Sequence, residues 1–346
     1  MKTILATGGL GFIGSHTCIS LLENNFNVYV IDSLVNCEKK NLMAIKKICN
    51  LTKSFSKGKL IFLKGDIKDK KFLNNTFKKA LIDKNPIQAV IHFAGLKSVN
   101  DSIKSPLSYW ETNVYGSINL LNVMQEYECK KLVFSSSATV YKPLINKLIK
   151  EESELGPINP YGSTKLAVEN MLRDLVKDKS NDWSIINLRY FNPVGAHSSG
   201  LIGESPIGKP NNLFPILLKV ASGEYEFLSI FGKDWPTNDG TCIRDFIHIV
   251  DLAEAHISAL EYILESAPKL ITLNIGTGRG HSVLEVVETF KTVNKCEFKY
   301  NFESRREGDA PYLVADNSLA LSTLNWSPKR SLIDMCKDAW RWKLNN

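Results

Sequence analysis

Tyr161 and Lys165, in the run Tyr161-Gly162-Ser163-Thr164-Lys165, stand at i and i+4, so a helix there puts a phenol and an ammonium on one face. A positive charge near a phenol favours the phenolate and draws its pKa down from about 10 toward the working range of a general base. Spacing alone does not select this pair, because Tyr127 and Lys131 share it. Context does: Tyr127 precedes a run that reads as a strand, Lys131–Ser136, whereas Tyr161 opens a helical stretch beyond that strand and its serines. The string Phe134-Ser135-Ser136-Ser137-Ala138-Thr139-Val140-Tyr141 then offers a hydroxyl at the carboxyl end of a strand, where open α/β sheets bind ligands.

A second chemical feature opens the chain. Thr7-Gly8-Gly9-Leu10-Gly11-Phe12-Ile13-Gly14 follows one expected strand and begins an expected helix. Gly8 permits a tight turn, Gly11 lets the backbone approach a diphosphate, and Gly14 lets helix pack on strand, while the helix N-terminus offers free N–H groups to phosphate. The next strand ends at Asp32, about 20 residues on, where a carboxylate binds the adenosine ribose and repels a 2′-phosphate. This favours NAD over NADP.

The elements that must hold these groups follow from the apolar pattern. Short β-branched runs at Thr3–Thr7, Asn27–Ile31, Leu60–Leu63, Ala89–Phe93, Lys131–Ser136 and Ser184–Arg189 alternate with helical stretches at Ile13–Asn24, Lys70–Lys84, Pro106–Tyr127 and Tyr161–Lys177. That alternation predicts an α/β fold, a Rossmann-like doubly wound parallel sheet with helices on both faces. In the third helix Leu107, Trp110, Val114, Ile118 and Leu121 form an apolar stripe at helical spacing. Beyond about Phe191 the pattern breaks into Gly-, Pro- and Asn-rich loops, which suggests a smaller mixed α/β substrate-binding lobe. We therefore expect a domain over 1–190 and a second over 191–346, with an approximate boundary and interleaved lobes.

Composition narrows the function classes. With 346 residues, 44% apolar and 23% charged, the chain has globular proportions. No apolar run reaches the roughly 18–20 residues that cross a bilayer, so no membrane association is expected. Seven cysteines without a C-x-x-C pair give no disulfide framework and fit the cytoplasm. The six histidines are dispersed, and even His248 and His256 lack i, i+4 spacing, so no metal site is expected. The net charge of +7 comes from lysines scattered along helical stretches, which reads as a solvated surface rather than a nucleic-acid footprint.

The G-x-x-G-x-x-G turn, Gly65-Asp66-Ile67, His92-Phe93-Ala94-Gly95-Leu96-Lys97 and the Tyr161/Lys165 pair resemble the extended short-chain dehydrogenase/reductase family. Within it, Leu188-Arg189-Tyr190-Phe191-Asn192-Pro193-Val194-Gly195-Ala196-His197, Asn211-Asn212-Leu213, the run Asp239–His248 and Arg305-Arg306-Glu307-Gly308-Asp309 resemble the UDP-glucose 4-epimerases. These strings span nearly the whole chain. The resemblance implies Ser137, Tyr161 and Lys165 as catalytic residues. It implies an NAD site of Gly8, Gly11, Phe12, Ile13, Gly14, Asp32, Ser33, Asn36, Asp66, Ile67, Phe93, Ala94, Gly95, Lys97, Thr112, Tyr161, Lys165 and Phe191. For a UDP-hexose it implies Lys97, Ser137, Tyr161, Asn192, Asn212, Leu213, Phe231, Arg244, Arg306, Asp309 and Leu313. Phe231 would pack on uracil, Arg244 and Arg306 would clamp the diphosphate, Asp309 would bond the ribose, and Leu313 would close the sugar pocket.

Some positions depart from the family pattern. Phe12 stands where a tyrosine is frequent, Ser33 where an asparagine is, Lys142 where a glycine is, and Thr112 where some relatives present an asparagine, with Asn113 beside it. The implied activity is reversible epimerisation at C4 of a UDP-hexose through a 4-keto intermediate, with tightly bound NAD, in galactose metabolism, by a homodimer. A sugar-nucleotide dehydratase is the enzymatic rival, but Ala138 and Val140 flank Thr139 where such relatives carry an acidic pair. A non-catalytic NAD-binding regulator is the other alternative, which the Ser137, Tyr161 and Lys165 set argues against.

Overall fold

The computed structural model describes residues 1–53, 58–142, 147–178, 182–306 and 309–346. Glu307 and Gly308, part of one family string, lie outside the described residues. In chain order the first half runs β1 (Thr3–Thr7), α1 (Phe12–Glu23), β2 (Asn27–Asp32), α2 (Lys40–Leu51), β3 (Leu60–Lys64), α3 (Lys70–Ile82) and β4 (Ile87–His92). It continues with α4 (Val99–Lys104), α5 (Pro106–Tyr109), a π-helical turn (Trp110–Tyr115), α6 (Gly116–Glu126), β5 (Lys131–Ser137), α7 (Pro160–Leu175) and β6 (Ser184–Tyr190). The second half holds β7 (Asn192–Val194), α8 (Leu213–Ala221), β8 (Phe227–Phe231), β9 (Ile243–Arg244), β10 (Phe246–His248), α9 (Ile249–Glu265) and β11 (Leu270–Ile275). It ends with β12 (His281–Ser282), α10 (Val283–Asn294), β13 (Lys299–Glu303), β14 (Tyr312–Leu313), α11 (Ser318–Leu324) and α12 (Leu332–Leu344).

Seven strands form the main sheet in the order β11-β6-β5-β4-β1-β2-β3, and β1 pairs parallel with both β2 and β4. The order reverses between β1 and β4, which is the switch point at which doubly wound sheets bind ligands outside the strand ends. Both β1 and β2 are buried along their whole length, as parallel strands covered on both faces must be.

The chain divides into two compact units that exchange segments. The first comprises Met1–Val140, Pro157–Arg189 and Ala253–Leu273, and the second Tyr141–Gly156, Tyr190–Leu252 and Asn274–Asn346. A break between 189 and 190 is thus present, but Tyr141–Gly156 joins the second unit and Ala253–Leu273 returns to the first. The first unit's core gathers Leu5, Val90, Leu120, Phe134 and Leu172 from strands and helices. In the second, Phe214, Leu228, Val286, Phe290 and Met335 form a separate core.

Two helical stretches differ from the sequence expectation. Lys40–Leu51, absent from the expected helices, is a helix that buries Leu42, Ile45, Ile48 and Cys49. Pro106–Tyr127 is not one continuous helix. Its π-helical turn, one residue wider per turn than an α-helix, faces Asn113 inward, where its side chain bonds Leu96 N, Leu96 O and Thr164 Oγ1 at 2.8, 3.0 and 3.0 Å. The expected stripe is split accordingly. Leu121 is buried, whereas Leu107, Trp110 and Ile118 face outward.

Candidate active site

In the first unit the glycine turn adopts the shape its spacing implies. Gly8 has φ +66°, and a Cβ there would lie 2.7 Å from Ala94 N, so β1 and β4 approach each other only with glycine at this point. A Cβ on Gly14 would stand 2.5 Å from Gly8 O, which fixes the closeness of α1 to the turn. At Gly11 an added Cβ would meet only Gly8 O, at 3.3 Å. Gly11 caps α1 without a side-chain hydrogen bond, and the first turn holds no acidic residue. Its N–H groups therefore face a space suited to an anion. Phe12 and Ile13 are half-buried on that turn.

Asp32 ends β2 nine-tenths buried. Its Oδ2 accepts from Leu10 N at 3.0 Å, and its Oδ1 from Leu34 N at 2.9 Å and the Cys37 thiol at 3.3 Å. The carboxylate thus ties the glycine turn to the loop carrying Ser33 and Asn36, the first half-buried and the second exposed. Asp66 Oδ1 accepts from Lys68 N at 2.9 Å, an ordinary turn bond, while Ile67 packs beneath Gly116. Phe93 stacks on His256 with centroids 4.9 Å apart, and Ala94 N donates to Thr7 Oγ1. Lys97 is exposed and Thr112 half-buried on the π-helical turn. Asn113 spends its side chain on Leu96 and Thr164, as above.

The catalytic group is assembled by β5 and α7. Asn159 caps α7 through Gly162 N at 2.9 Å, and Pro160 occupies the first turn, where its missing N–H costs nothing. A Cβ on Gly162 would lie 2.5 Å from Thr139 O, so glycine lets the helix start against the short turn Ala138–Val140. The result places the Tyr161 phenol beside Ser137, whose hydroxyl favours the ionised phenol. Ser137 Oγ also accepts from Thr139 N and Oγ1 at 3.2 and 3.0 Å. Lys165 is buried, its Nζ donating to Ser135 O at 2.6 Å and lying 4.9 Å from the Phe134 ring centroid. A Cβ on Gly95 would come within 3.8 Å of that Nζ, so the Ala94–Gly95 strand end and the catalytic lysine are neighbours.

The electrostatics correct one sequence expectation. Burial holds the Tyr161 phenol above its usual pKa, opposed by the Ser137 hydroxyl rather than by Lys165. Lys165 Nζ lies 6.0 Å from the Tyr161 ring centroid and is engaged by Ser135. Its own pKa is pushed down to about 8 by burial, with Glu169 pulling it back up.

In the second unit, Arg244 and Asp309 form an ion pair at 3.1 Å, and Arg244 Nη1 also donates to Ile243 O and Ala310 O at 2.9 and 2.7 Å. The Arg306 guanidinium stands 4.0 Å over the Phe231 ring, and Arg305 stands 4.2 Å over Trp235. Asn212 reaches Glu204 at 3.4 Å at the start of α8, where Leu213 is half-buried. Leu313 is the register partner of Arg244 in the parallel β9–β14 pair, so the two side chains share a face. Phe191 is buried, its N donating to Ile275 O at 3.2 Å. Asn192 Oδ1 is buried with no hydrogen-bond partner among the described residues, the state of an amide oxygen that awaits a donor.

Sequence reasoning missed Glu169, Arg189, Glu204 and the Trp235–Arg305 stack. Glu169 alone carried a signal, standing at i+4 from Lys165.

Residues 5–339 match the family described as GDP-mannose 4,6 dehydratase. The chain is 47% identical over 343 residues to the UDP-glucose 4-epimerase of Bacillus subtilis, covering 99% of this chain and 97% of that one. It is 47% identical to the Dictyostelium discoideum UDP-glucose 4-epimerase, covering 99% and 96%. Among solved structures, the Stenotrophomonas maltophila UDP-glucose-4-epimerase with bound NAD and formylated UDP-arabinopyranose superposes with a TM-score of 0.93 at 42% identity, covering 100% and 98%. The Bifidobacterium longum UDP-glucose 4-epimerase in complex with NAD+ and UDP gives 0.91 at 39%, covering 100% and 99%. Matched end to end at these identities in both sequence and fold, the chain belongs to the UDP-glucose 4-epimerase family.

Proposed function

We propose that this chain interconverts UDP-glucose and UDP-galactose by oxidising C4 of the hexose to a ketone and reducing it on the opposite face. The observation that carries the reading is the docking of α7 on the end of β5, which sets Tyr161 beside Ser137 and, one turn on, Lys165 on Ser135 O and beside Gly95. NAD, when bound, takes up the C4 hydride and returns it. The turn fits that cofactor: Gly8, Gly11 and Gly14 leave the end of α1 open to a diphosphate, and Asp32 stands at the end of β2 for a ribose. Tyr161 removes the C4 hydroxyl proton and Ser137 holds that oxygen in line. Ser137 favours the phenolate, and Lys165, beside Gly95, stands where it would bond the nicotinamide ribose. Asp66, Ile67, Phe93, Ala94, Lys97, Thr112 and Phe191 complete the cofactor site in this reading.

Arg244, Arg306, Asp309, Phe231, Asn192, Asn212 and Leu213 hold the UDP, and Leu313 borders the sugar. Arg244 and Arg306 clamp the diphosphate in this reading, and Arg306 already stands over the Phe231 ring assigned to uracil. Their planar forks suit that charge. Dehydration is disfavoured because Thr139 donates to Ser137 and its neighbours Ala138 and Val140 carry no acid to expel a hydroxyl as water. The seven cysteines are all free thiols, which fits the reducing cytoplasm, and the exposed apolar face of α4 to α6 fits a homodimer.

Purified protein incubated with UDP-glucose alone should yield UDP-galactose, with NAD released on denaturation. Tyr161→Phe should lose at least about 10²-fold in kcat, the typical contribution of a general base, while retaining NAD. Near-normal turnover in that variant would remove Tyr161 from its role.

A further inference from the structure

Consecutive residues of β5 button onto successive turns of α7. Ser137 Oγ meets Tyr161, the Ser135 carbonyl takes Lys165 Nζ, and Ser136 Oγ donates to Glu169 Oε1. Tyr161, Lys165 and Glu169 stand at i, i+4 and i+8, one stripe along the helix. From β6, Arg189 grips the same carboxylate with both ends of its fork, Nε to Oε1 at 2.9 Å and Nη2 to Oε2 at 2.6 Å. The pair is removed from solvent, with side chains 3% and 0% exposed.

A buried ion pair of this kind is often no more stabilising than apolar residues of the same volume, because two charges must be stripped of water. Stability is therefore a poor reason for its place one helical turn behind Lys165. Lys165 is itself buried, and its ammonium has only one hydrogen bond that the structure resolves, to a neutral carbonyl. The other groups around it offer no negative charge. From β4 His92 is held neutral, its pKa pushed to about 3 by burial and Lys165; from β5 come the Phe134 ring and serine hydroxyls; on α7 Tyr161 is a phenol; from β6 Arg189 is positive. Among the described residues, Glu169 is the carboxylate whose charge acts on Lys165.

We propose that Glu169, fixed by Ser136 and Arg189, is a positioning residue for the reaction: it keeps Lys165 an ammonium and holds the Tyr161–Lys165 stripe in register with β5. The proposal rests on the assignment of Lys165 and Tyr161 made above. Its sign is set by Lys165. Below its folded pKa of about 8 the ammonium is present, and above that value it is lost. Removing the opposite charge must move that loss to lower pH, by about one unit or more.

Two readouts test this in the NAD-loaded enzyme. In Glu169→Gln the alkaline limb of kcat against pH should move down by about one unit, making the variant roughly tenfold slower than wild type at pH 9 and nearly equal at pH 6. KM for UDP-glucose should change little, and Glu169→Asp should restore the limb. The second readout does not depend on turnover: the Lys165 15Nζ signal, assigned by its loss in Lys165→Met, should titrate at lower pH in Glu169→Gln. Because that variant leaves the Arg189 charge uncompensated and can misfold, Arg189→Met is measured beside it: removing the positive partner of the carboxylate should move the Lys165 titration up, opposite to Glu169→Gln. A Lys165 titration unmoved in both folded variants, with kcat and its pH limb unchanged, would overturn the proposal. Normal turnover in Tyr161→Phe would instead strike at the active-site assignment, leaving the Lys165 titration to decide on Glu169.

Discussion

Leu313 shows how far one side chain's surroundings constrain its role. It shares a strand face with Arg244, its carbonyl takes Asp245 N at 3.0 Å, and it is half-buried, unlike the fully buried Val314 and Ala315 that follow. Under the proposal that Leu313 borders the sugar, its side chain is an adaptable aliphatic wall, and the penalty for an N-acetyl group against it is of the order of 1–3 kcal/mol. We therefore expect UDP-N-acetylglucosamine to be epimerised detectably but more slowly than UDP-glucose. Leu313→Tyr should suppress the first activity and spare the second in a direct comparison of the two substrates. Equal loss of both would show that Leu313 supports the strand rather than the sugar. At this scale the sequence was legible where chemistry is local. Tyr161 and Lys165 share one helix, and Asp32 follows the glycine turn by a fixed interval. Arg189 and Glu169 were not legible as a pair, because their meeting depends on which face of β6 abuts α7, and no spacing records that.

The elements carry a similar lesson. Periodicity located six of the seven strands of the main sheet to within about two residues and missed β11, since buried parallel strands read as continuous apolar runs. It failed over Pro106–Tyr127, where the π-helical turn breaks the 3.6-residue phase and presents Asn113 to the Gly95–Leu96 turn. Pro106 and Gly116 flank the turn, but no proline or glycine lies within Trp110–Tyr115 to announce that break. The turn's purpose can be measured through Asn113. Asn113→Ala would leave the Leu96 N–H and carbonyl without the partners shown, at about 1–3 kcal/mol for each buried group so orphaned. A lower denaturant midpoint with unchanged m-value is expected, together with weaker NAD retention as Gly95 loosens. An unfolding free energy within about 0.5 kcal/mol of wild type, the range of neutral surface changes, would mean that water replaces the amide at no cost.

For the whole molecule, the approximate boundary at 190 could not foretell that Ala253–Leu273 returns to the first unit and lends β11 to its sheet. Strand pairing across such distances is invisible to a window of residues. The helical stripe, by contrast, was informative even though it is broken. Ile103, Leu107, Trp110, Tyr115 and Ile118 are exposed on consecutive elements of the first unit, with Leu107 81% accessible. Large apolar side chains scattered singly need no explanation, but five within one stretch of sixteen residues, a tryptophan and a tyrosine among them, have the composition of an interface. A second copy of the chain is the occupant we propose, since one surface meeting itself across a two-fold axis closes without leaving a further sticky face. Sedimentation at micromolar concentration should give twice the chain's mass. Leu107→Glu and Trp110→Glu place a charge in that face, where an unpaired buried charge is costly, and should shift the species to a monomer that retains the native circular dichroism. A wild-type monomer would refute the pairing outright. A dimer that both substitutions leave intact would move the interface to another face of the molecule.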